Sequence, residues 1–236
     1  MEELGCDRIL FLGDTMDPMN EETLAAIKCI FASVQIPCHP VIGNHEICGP
    51  CSAADFYREF GLPSSGDYVI EANGFVIICL ATPDQSCLAQ GSPQMRWLEN
   101  QLVRFSDRNV FLTAHFSLLL HPCVRGWKND GMQQLYEPQP VLDLLARFPN
   151  VRAWFAGHKN IPSKIVHEGV LHLLSPQLIQ APCSYAIIDI HEDAIVHATH
   201  EIEEQHWLQI SRDAYGTDYP ERHGREEDRN FTWFFD

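Results

Sequence analysis

Four times in this chain an apolar run of strand length stops and hands over to a polar residue able to ligate a metal. Arg8 to Leu12 leads into Gly13-Asp14, and Pro40 to Ile42 into Gly43-Asn44. Asn109 to Ala114 leads into His115, and Val151 to Ala156 into Gly157-His158. Short apolar runs of this kind read as buried parallel strands. In open α/β sheets ligands bind beyond the carboxyl ends of the parallel strands, so the four polar residues are expected to meet along one sheet edge. A carboxylate, an amide oxygen and two imidazoles suit a divalent transition metal.

The segments between these runs carry their own start and stop signals. Asn20 is expected to cap a helix through about Val34, with Leu24, Ile27, Ile30 and Phe31 on one face. Ser52, with Asp55 three residues on, opens a second helix to Phe60. Asp67 to Ala72 and Phe75 to Ala81 read as a hairpin turning at Asn73-Gly74. Ser92 and Pro93 begin a helix with Met95, Leu98, Leu102 and Phe105 on one stripe, and Val141 to Phe148 reads as another. Later strands are expected over 163–175, 185–191 and 194–202. Leu118 to Pro140 reads as a long loop over a site. The fold class that results is α/β with mixed β-sheets. A domain over residues 1–203 is followed by an acidic, aromatic and weakly patterned tail, 204–236, whose Phe231, Trp233, Phe234 and Phe235 dock on the body.

With 45% hydrophobic and 20% charged residues, the 236-residue chain has the balance of a soluble globular protein. Its net charge of −16 argues against nucleic-acid partners bound through phosphates. The same charge would repel a phosphate ester unless a bound cation inverted the local field. No apolar stretch has the length of a membrane span, and the N-terminus lacks the pattern of a secretory signal. An odd count of nine cysteines, several inside apolar runs, points to reduced thiols and a cytoplasmic location. Cys48-Gly49-Pro50-Cys51 has the thioredoxin spacing but not the thioredoxin context, so its cysteines read as incidental loop residues.

Phosphoester hydrolysis needs a nucleophilic water, neutralised phosphoryl oxygens and a proton for the leaving group. His45 suits the last role, standing beside Asn44 in a turn that can point it at a substrate. Asp17 is placed to accept its other N–H and fix the tautomer. Asn44, His45 and Arg125, with Trp127 beside it in the loop after His115, are the candidate substrate contacts. His39, His121, His167 and His172 read as structural or surface residues.

In order, Gly13-Asp14-Thr15-Met16-Asp17, Gly43-Asn44-His45-Glu46, His115 and Gly157-His158-Lys159-Asn160 resemble the pattern of calcineurin-like metallophosphoesterases. Gln94-Met95-Arg96-Trp97-Leu98-Glu99 is similar to a segment of the purple-acid-phosphatase-like and cyclic-nucleotide-phosphodiesterase-like branch. The resemblance implies an α/β/β/α sandwich acting on a small phosphoester, such as a nucleotide, with Mn, Fe or Zn as cofactor. It makes Asp14 a bridging carboxylate, completes one metal site with Asn44, His115 and His158, and makes His45 the general acid. Two departures fall on the other metal: the family's opening Asp-x-His has no counterpart, and its final histidine is Asn160 here. Two metals are usual in the family, and the departures imply as few as one in this chain. They also raise a rival reading, a degenerate and catalytically silent domain that binds one metal or none. The strand carrying Asp-x-His lies inside a sheet in this family, so its absence is expected to leave two unpaired edges. Either the natural protein begins upstream of Met1, which is the favoured expectation, or rearrangement or homo-oligomerisation fills the gap.

Overall fold

The structure, a computed structural model, describes residues 5–72, 74–124, 134–216 and 220–235. The first half alternates strand and helix. β1 (Ile9–Leu12) pairs in parallel with β2 (Cys38–Val41) across α1 (Glu21–Ser33). Asn20 caps α1 as expected: its side-chain oxygen accepts the N–H groups of Glu22 and Thr23, and Thr23 Oγ1 accepts the Asn20 N–H. α2 (Ala53–Glu59) opens on the Ser52–Asp55 capping box. β3 (Tyr68–Ala72) and β4 (Phe75–Cys79) pair antiparallel with Ala72 opposite Phe75, and Asn73 of the expected turn lies outside the described residues. Next come α3 (Pro93–Arg104), β5 (Asn109–Ala114), α4 (Gln139–Leu145) and β6 (Val151–Ala156). β7 (Ser163–His167), β8 (Val170–Leu174), β9 (Ser184–Ile190) and β10 (Ala194–Glu201) follow. The chain closes with α5 (Gln205–Tyr215), α6 (Glu226–Arg229) and β11 (Asn230–Phe234).

The central sheet runs β3-β4-β5-β6-β8-β7. Its inner strands are parallel, with β3 and β7 antiparallel at the edges. Both faces are covered, which is why β4, β5 and β6 are almost continuously apolar. On one face Val76, Ile78, Leu112 and Trp154 meet Leu98 and Leu102 of α3 and Val141, Leu144 and Leu145 of α4. On the other, Ile77, Phe111, Phe155 and Leu173 meet Val41, Ile188 and Ile195 of a second layer of strands. Leu24 of α1 and Phe56 of α2 pack with Met19 and Ile42 in a further cluster beside that layer. The α/β/β/α order implied by the resemblance is the order found.

The second strand layer is divided. β1-β2 is one sheet and β11-β10-β9 another, and they are not joined among the described residues. Two details differ from the sequence reading. Ile30, expected on the apolar face of α1, is 53% exposed, since Leu24 and Ile27 already satisfy the contact with α2. The segment after residue 203, expected to be weakly patterned, supplies β11, which extends the β9–β10 hairpin. Its burial alternates: Phe231, Trp233 and Phe235 pack inward, while Phe234 is exposed. That period of two was readable in the sequence as a strand.

One buried carboxylate ties the turn after β1 to the turn after β2. Glu46 is fully buried and accepts five hydrogen bonds. Its Oε1 accepts from the Thr15 N–H (2.6 Å), the Thr15 hydroxyl (2.9 Å) and the Met16 N–H (3.1 Å). Its Oε2 accepts from the N–H groups of Asp14 (3.0 Å) and Gly43 (2.8 Å). Glu46→Ala strands four main-chain donors at once, and each unsatisfied buried group costs about 1–3 kcal/mol. The expected loss of stability is at least about 3 kcal/mol by urea unfolding, and a loss below about 1 kcal/mol would contradict this role.

Three histidines are buried, His121, His172 and His197, 1%, 1% and 4% exposed, and at His197 burial outweighs the nearby Asp228 carboxylate. Burial pushes His121 down to about 4, His172 to about 3 and His197 to about 4. The unfolded chain protonates each near pH 6.5, approximately, so below that pH it binds protons that the folded state refuses. Stability is therefore complete above about pH 6.5 and falls as pH drops towards about 4, by up to about 1.4 kcal/mol per pH unit for each histidine. Urea midpoints measured from about pH 7 to about pH 5 should decline steadily, and a flat profile would contradict neutral burial.

Candidate metal centre

Asp14, Asn44, His115 and His158 arrive from the ends of β1, β2, β5 and β6 and converge on one atom, Nε2 of His115. That nitrogen lies 2.9 Å from Asn44 Oδ1, 3.1 Å from Asp14 Oδ2 and 3.1 Å from His158 Nδ1. The His115 side chain is fully buried, and the other three residues are half-buried at the rim. Its Nδ1 is 2.7 Å from the Leu12 carbonyl oxygen, which can only accept. The proton of the neutral ring therefore sits on Nδ1, and Nε2 presents a lone pair. Asn44 Oδ1 and the Asp14 carboxylate are acceptors too. Acceptors gathered this closely repel unless a cation or a proton lies among them. Neighbouring ligands of one transition ion stand about 3 Å apart when metal–ligand bonds are about 2.1 Å, so the donor set fits a divalent ion. Among the described residues, Asp14, His115 and His158 are the one group of His, Cys, Asp or Glu whose ligand atoms all fall within 4.8 Å of one another.

Local backbone choices make this convergence possible. Asp14, His158 and Asn160 all take left-handed conformations, with φ of 56°, 64° and 60°. Such values are uncommon outside glycine and concentrate at functional sites. A Cβ on Gly43 would overlap the Asp14 carboxylate, and one on Gly157 would stand 2.6 Å from the Leu12 carbonyl oxygen. Glycine at these positions lets the turns after β1, β2 and β6 close on each other. The main-chain N–H of His115 donates to Thr82 Oγ1 at 2.9 Å, fixing the end of β5.

The Asp14 carboxyl is pulled two ways: burial raises its pKa, but the pull of a protonated His115 ring and the hydrogen bond from the His45 N–H outweigh this and lower it. The His45 N–H donates to Asp14 Oδ1 at 3.0 Å. The His45 ring stands at the lip, its Nδ1 3.0 Å from Asp17 Oδ2 and its Nε2 4.0 Å from Asp14 Oδ2. Burial pushes this imidazole down, but Asp17, Asp14 and Glu46 outweigh the effect and leave its pKa raised.

The structure thus brings together Asp14, Asn44, His115 and His158, and pairs His45 with Asp17. Asn160 stands two residues beyond His158, half-buried. Arg125 and Trp127 lie outside the described residues. Of the four histidines read as structural or surface, His121 and His172 are buried, and His39 and His167 are half-buried. Sequence reasoning missed three supports of the site: the Leu12 carbonyl, Thr82 and Glu46. Glu46 had a signal, its place in Gly-Asn-His-Glu, whereas nothing in the sequence singled out Thr82.

Residues 2–162 match the family model described as calcineurin-like phosphoesterase. A probable glycerophosphodiester phosphodiesterase, GpdQ, of Arcobacter nitrofigilis is 25% identical over 201 residues, covering 80% of this chain and 67% of that protein. Among solved structures, a dimetal phosphatase from Danio rerio superposes with a TM-score of 0.68 at 18% identity, covering 84% of this chain and 82% of that one. GAP50, the anchor in the inner membrane complex of Plasmodium, gives 0.63 at 13% identity, covering 86% and 76%. A purple acid phosphatase from yellow lupin seeds gives 0.60 at 12% identity, covering 98% of this chain and 47% of that one. The structural likenesses bear on the fold, and the sequence match bears on descent. The chain belongs to the calcineurin-like phosphoesterase family of metal-dependent hydrolases.

Proposed function

We propose that this protein hydrolyses a phosphodiester or phosphomonoester of a small molecule or nucleotide, with Asp14, Asn44, His115 and His158 holding a divalent ion (Mn, Fe or Zn). The convergence of ligand atoms from Asp14, Asn44 and His158 on His115 Nε2, beside a His45–Asp17 pair at the lip, carries this reading. When bound, the ion would lower the pKa of an attacking water and neutralise phosphoryl oxygens. It would also give a chain of net charge −16 a local positive centre for an anionic substrate.

The protein's own groups do the rest. Leu12 and Thr82 hold His115 with its lone pair facing inward. Asp17 receives the Nδ1 proton of His45, so the opposite nitrogen, Nε2, faces the site and can carry a proton to the leaving oxygen. The charge that Asp14, Asp17 and Glu46 place around the ring favours that protonated form. Asn44 and His45 contact the phosphoryl group, and Arg125, outside the described residues, is a further candidate contact. Asn160 is a neutral amide, a poor ligand for zinc, and serves at most as a weak contributor.

A second reading has one specific observation behind it. Only one group of ligating side chains is close enough to share an ion among the described residues. A silent domain that binds one metal or none, and acts through its surface, would need no second group.

Metal analysis and turnover of a generic aryl phosphodiester with added Mn²⁺ separate these readings. One equivalent of metal per chain, lost in Asp14→Ala, is expected, and two equivalents would refute the single-ion site. His45→Ala should keep its metal and lose about 10²–10⁴-fold in kcat. Loss of the metal in that variant would show that His45 is a ligand instead. Metal binding by the unaltered protein with no hydrolysis of either ester class would favour the silent domain.

A further inference from the structure

The Cys48-Gly49-Pro50-Cys51 string plays no part in the chemistry above, yet the fold places it directly behind Asn44. Cys48 ends a 3-10 turn, Glu46–Cys48, for which His45 is the N-cap. Its thiol donates to the main-chain carbonyl of Asn44, with sulfur and oxygen 3.2 Å apart. Its N–H donates to the His45 carbonyl at 3.2 Å. The chain then bends at residues 49, 50 and 51. Gly49 lies so close to the Met19 carbonyl that a Cβ there would overlap it, and the Cys51 N–H donates to that same oxygen at 3.4 Å. The string therefore wraps around one atom. A disulfide needs its two Cα atoms within about 7 Å, which a chain bent over residues 49–51 approaches more readily than an extended one.

The two cysteines also lie outside the fully buried core. Cys48 is exposed and Cys51 half-buried. By contrast, Cys79 lies in the interior, where burial pushes its thiol up to about 12.

We propose that Cys48 and Cys51 form a reversible disulfide by exchange with a small-molecule disulfide such as oxidised glutathione, and that the bond alters the hold on Asn44. One protein sulfur attacks the glutathione disulfide, forms a mixed disulfide and releases one glutathione thiol. The second protein sulfur then attacks the first, closing the protein S–S bond and releasing the other glutathione. Two protein S–H groups become one S–S bond, glutathione disulfide is reduced to two thiols, and these carry the two protons away. Oxidation removes the S–H donor from the Asn44 carbonyl and ties residue 48 to the loop around Met19. The disulfide itself is independent of the metal reading, whereas its effect on metal affinity rests on it.

The test equilibrates the full chain in glutathione buffers of graded ratio, alkylates the remaining thiols and maps peptides by mass. The expected product is an internal disulfide in the peptide carrying residues 48–51, lost in both Cys48→Ser and Cys51→Ser. Both cysteines alkylated in excess oxidised glutathione would overturn the proposal, as would a stable glutathione adduct or pairing with another cysteine. Calorimetric titration of the oxidised and reduced forms with Mn²⁺ reads the coupling, and weakening of several-fold on oxidation is expected. Unchanged affinity would overturn the coupling while the masses decide the disulfide. Absence of Mn²⁺ binding in both forms would overturn the coupling and the metal reading together.

Discussion

The site depends first on the buried carboxylate of Glu46. Its two oxygens accept main-chain N–H groups from Asp14, Thr15, Met16 and Gly43. Those donors belong to two turns that follow different strands. Without a shared acceptor they would need water, and a water-filled gap there would separate Asp14 from Asn44. A fully buried anion is costly unless its lone pairs are satisfied. Five donors meet that condition here and convert the cost into a rigid link. The residue that organises the site is thus not one of those that would meet the substrate.

Much of this was legible in the sequence because its signals are local. The ends of β5 and β6, the caps of α1 and α2, and the strand-end placement of Asp14, Asn44, His115 and His158 all follow from runs and punctuation within a few residues. The pairing of His45 with Asp17 was expected from chemistry and found at 3.0 Å. Contacts made through main-chain carbonyls or lone polar side chains of distant segments were not legible. The Leu12 carbonyl that fixes the His115 tautomer is 103 residues away from it, and Thr82 is 33 residues away. No periodicity marks a main-chain carbonyl or a lone threonine as a second partner. β11 was overlooked although its alternation is clear: its aromatic residues were expected to dock on the body, but not as a strand.

Among the described residues the second strand layer is divided between the β1–β2 and β9–β10–β11 sheets. β1 is half-buried at all four positions, although Ile9-Leu10-Phe11-Leu12 has no polar residue. β9 is similarly half-buried over most of its length. Both lie against the same apolar face of the central sheet, through Leu10 and Leu12 on one side and Ile188 and Ile190 on the other. Packing across the layers therefore adds to the pairing of β1 with β2 and of β9 with β10. The site sits at the carboxyl end of β1, so its precision rests on Glu46 and His115 more than on sheet continuity.

That dependence explains how the ligand atoms can be arranged before any ion arrives. The group contains acceptors that repel one another, and left-handed backbone at Asp14 and His158, of order 1–3 kcal/mol each, adds to the cost. Every restraint acts from behind the site. Leu12 holds the far nitrogen of His115, Thr82 its main chain, the His45 N–H the outer oxygen of Asp14, and Glu46 the turns themselves. None of these bonds uses Nε2 of His115 or Oδ2 of Asp14, so an ion could bind without breaking them. Binding would then relieve repulsion already built into the fold, and the ion's free energy would add to stability by mass action. A turn that loosened Asn44 alone would weaken affinity while leaving the rest of this framework in place.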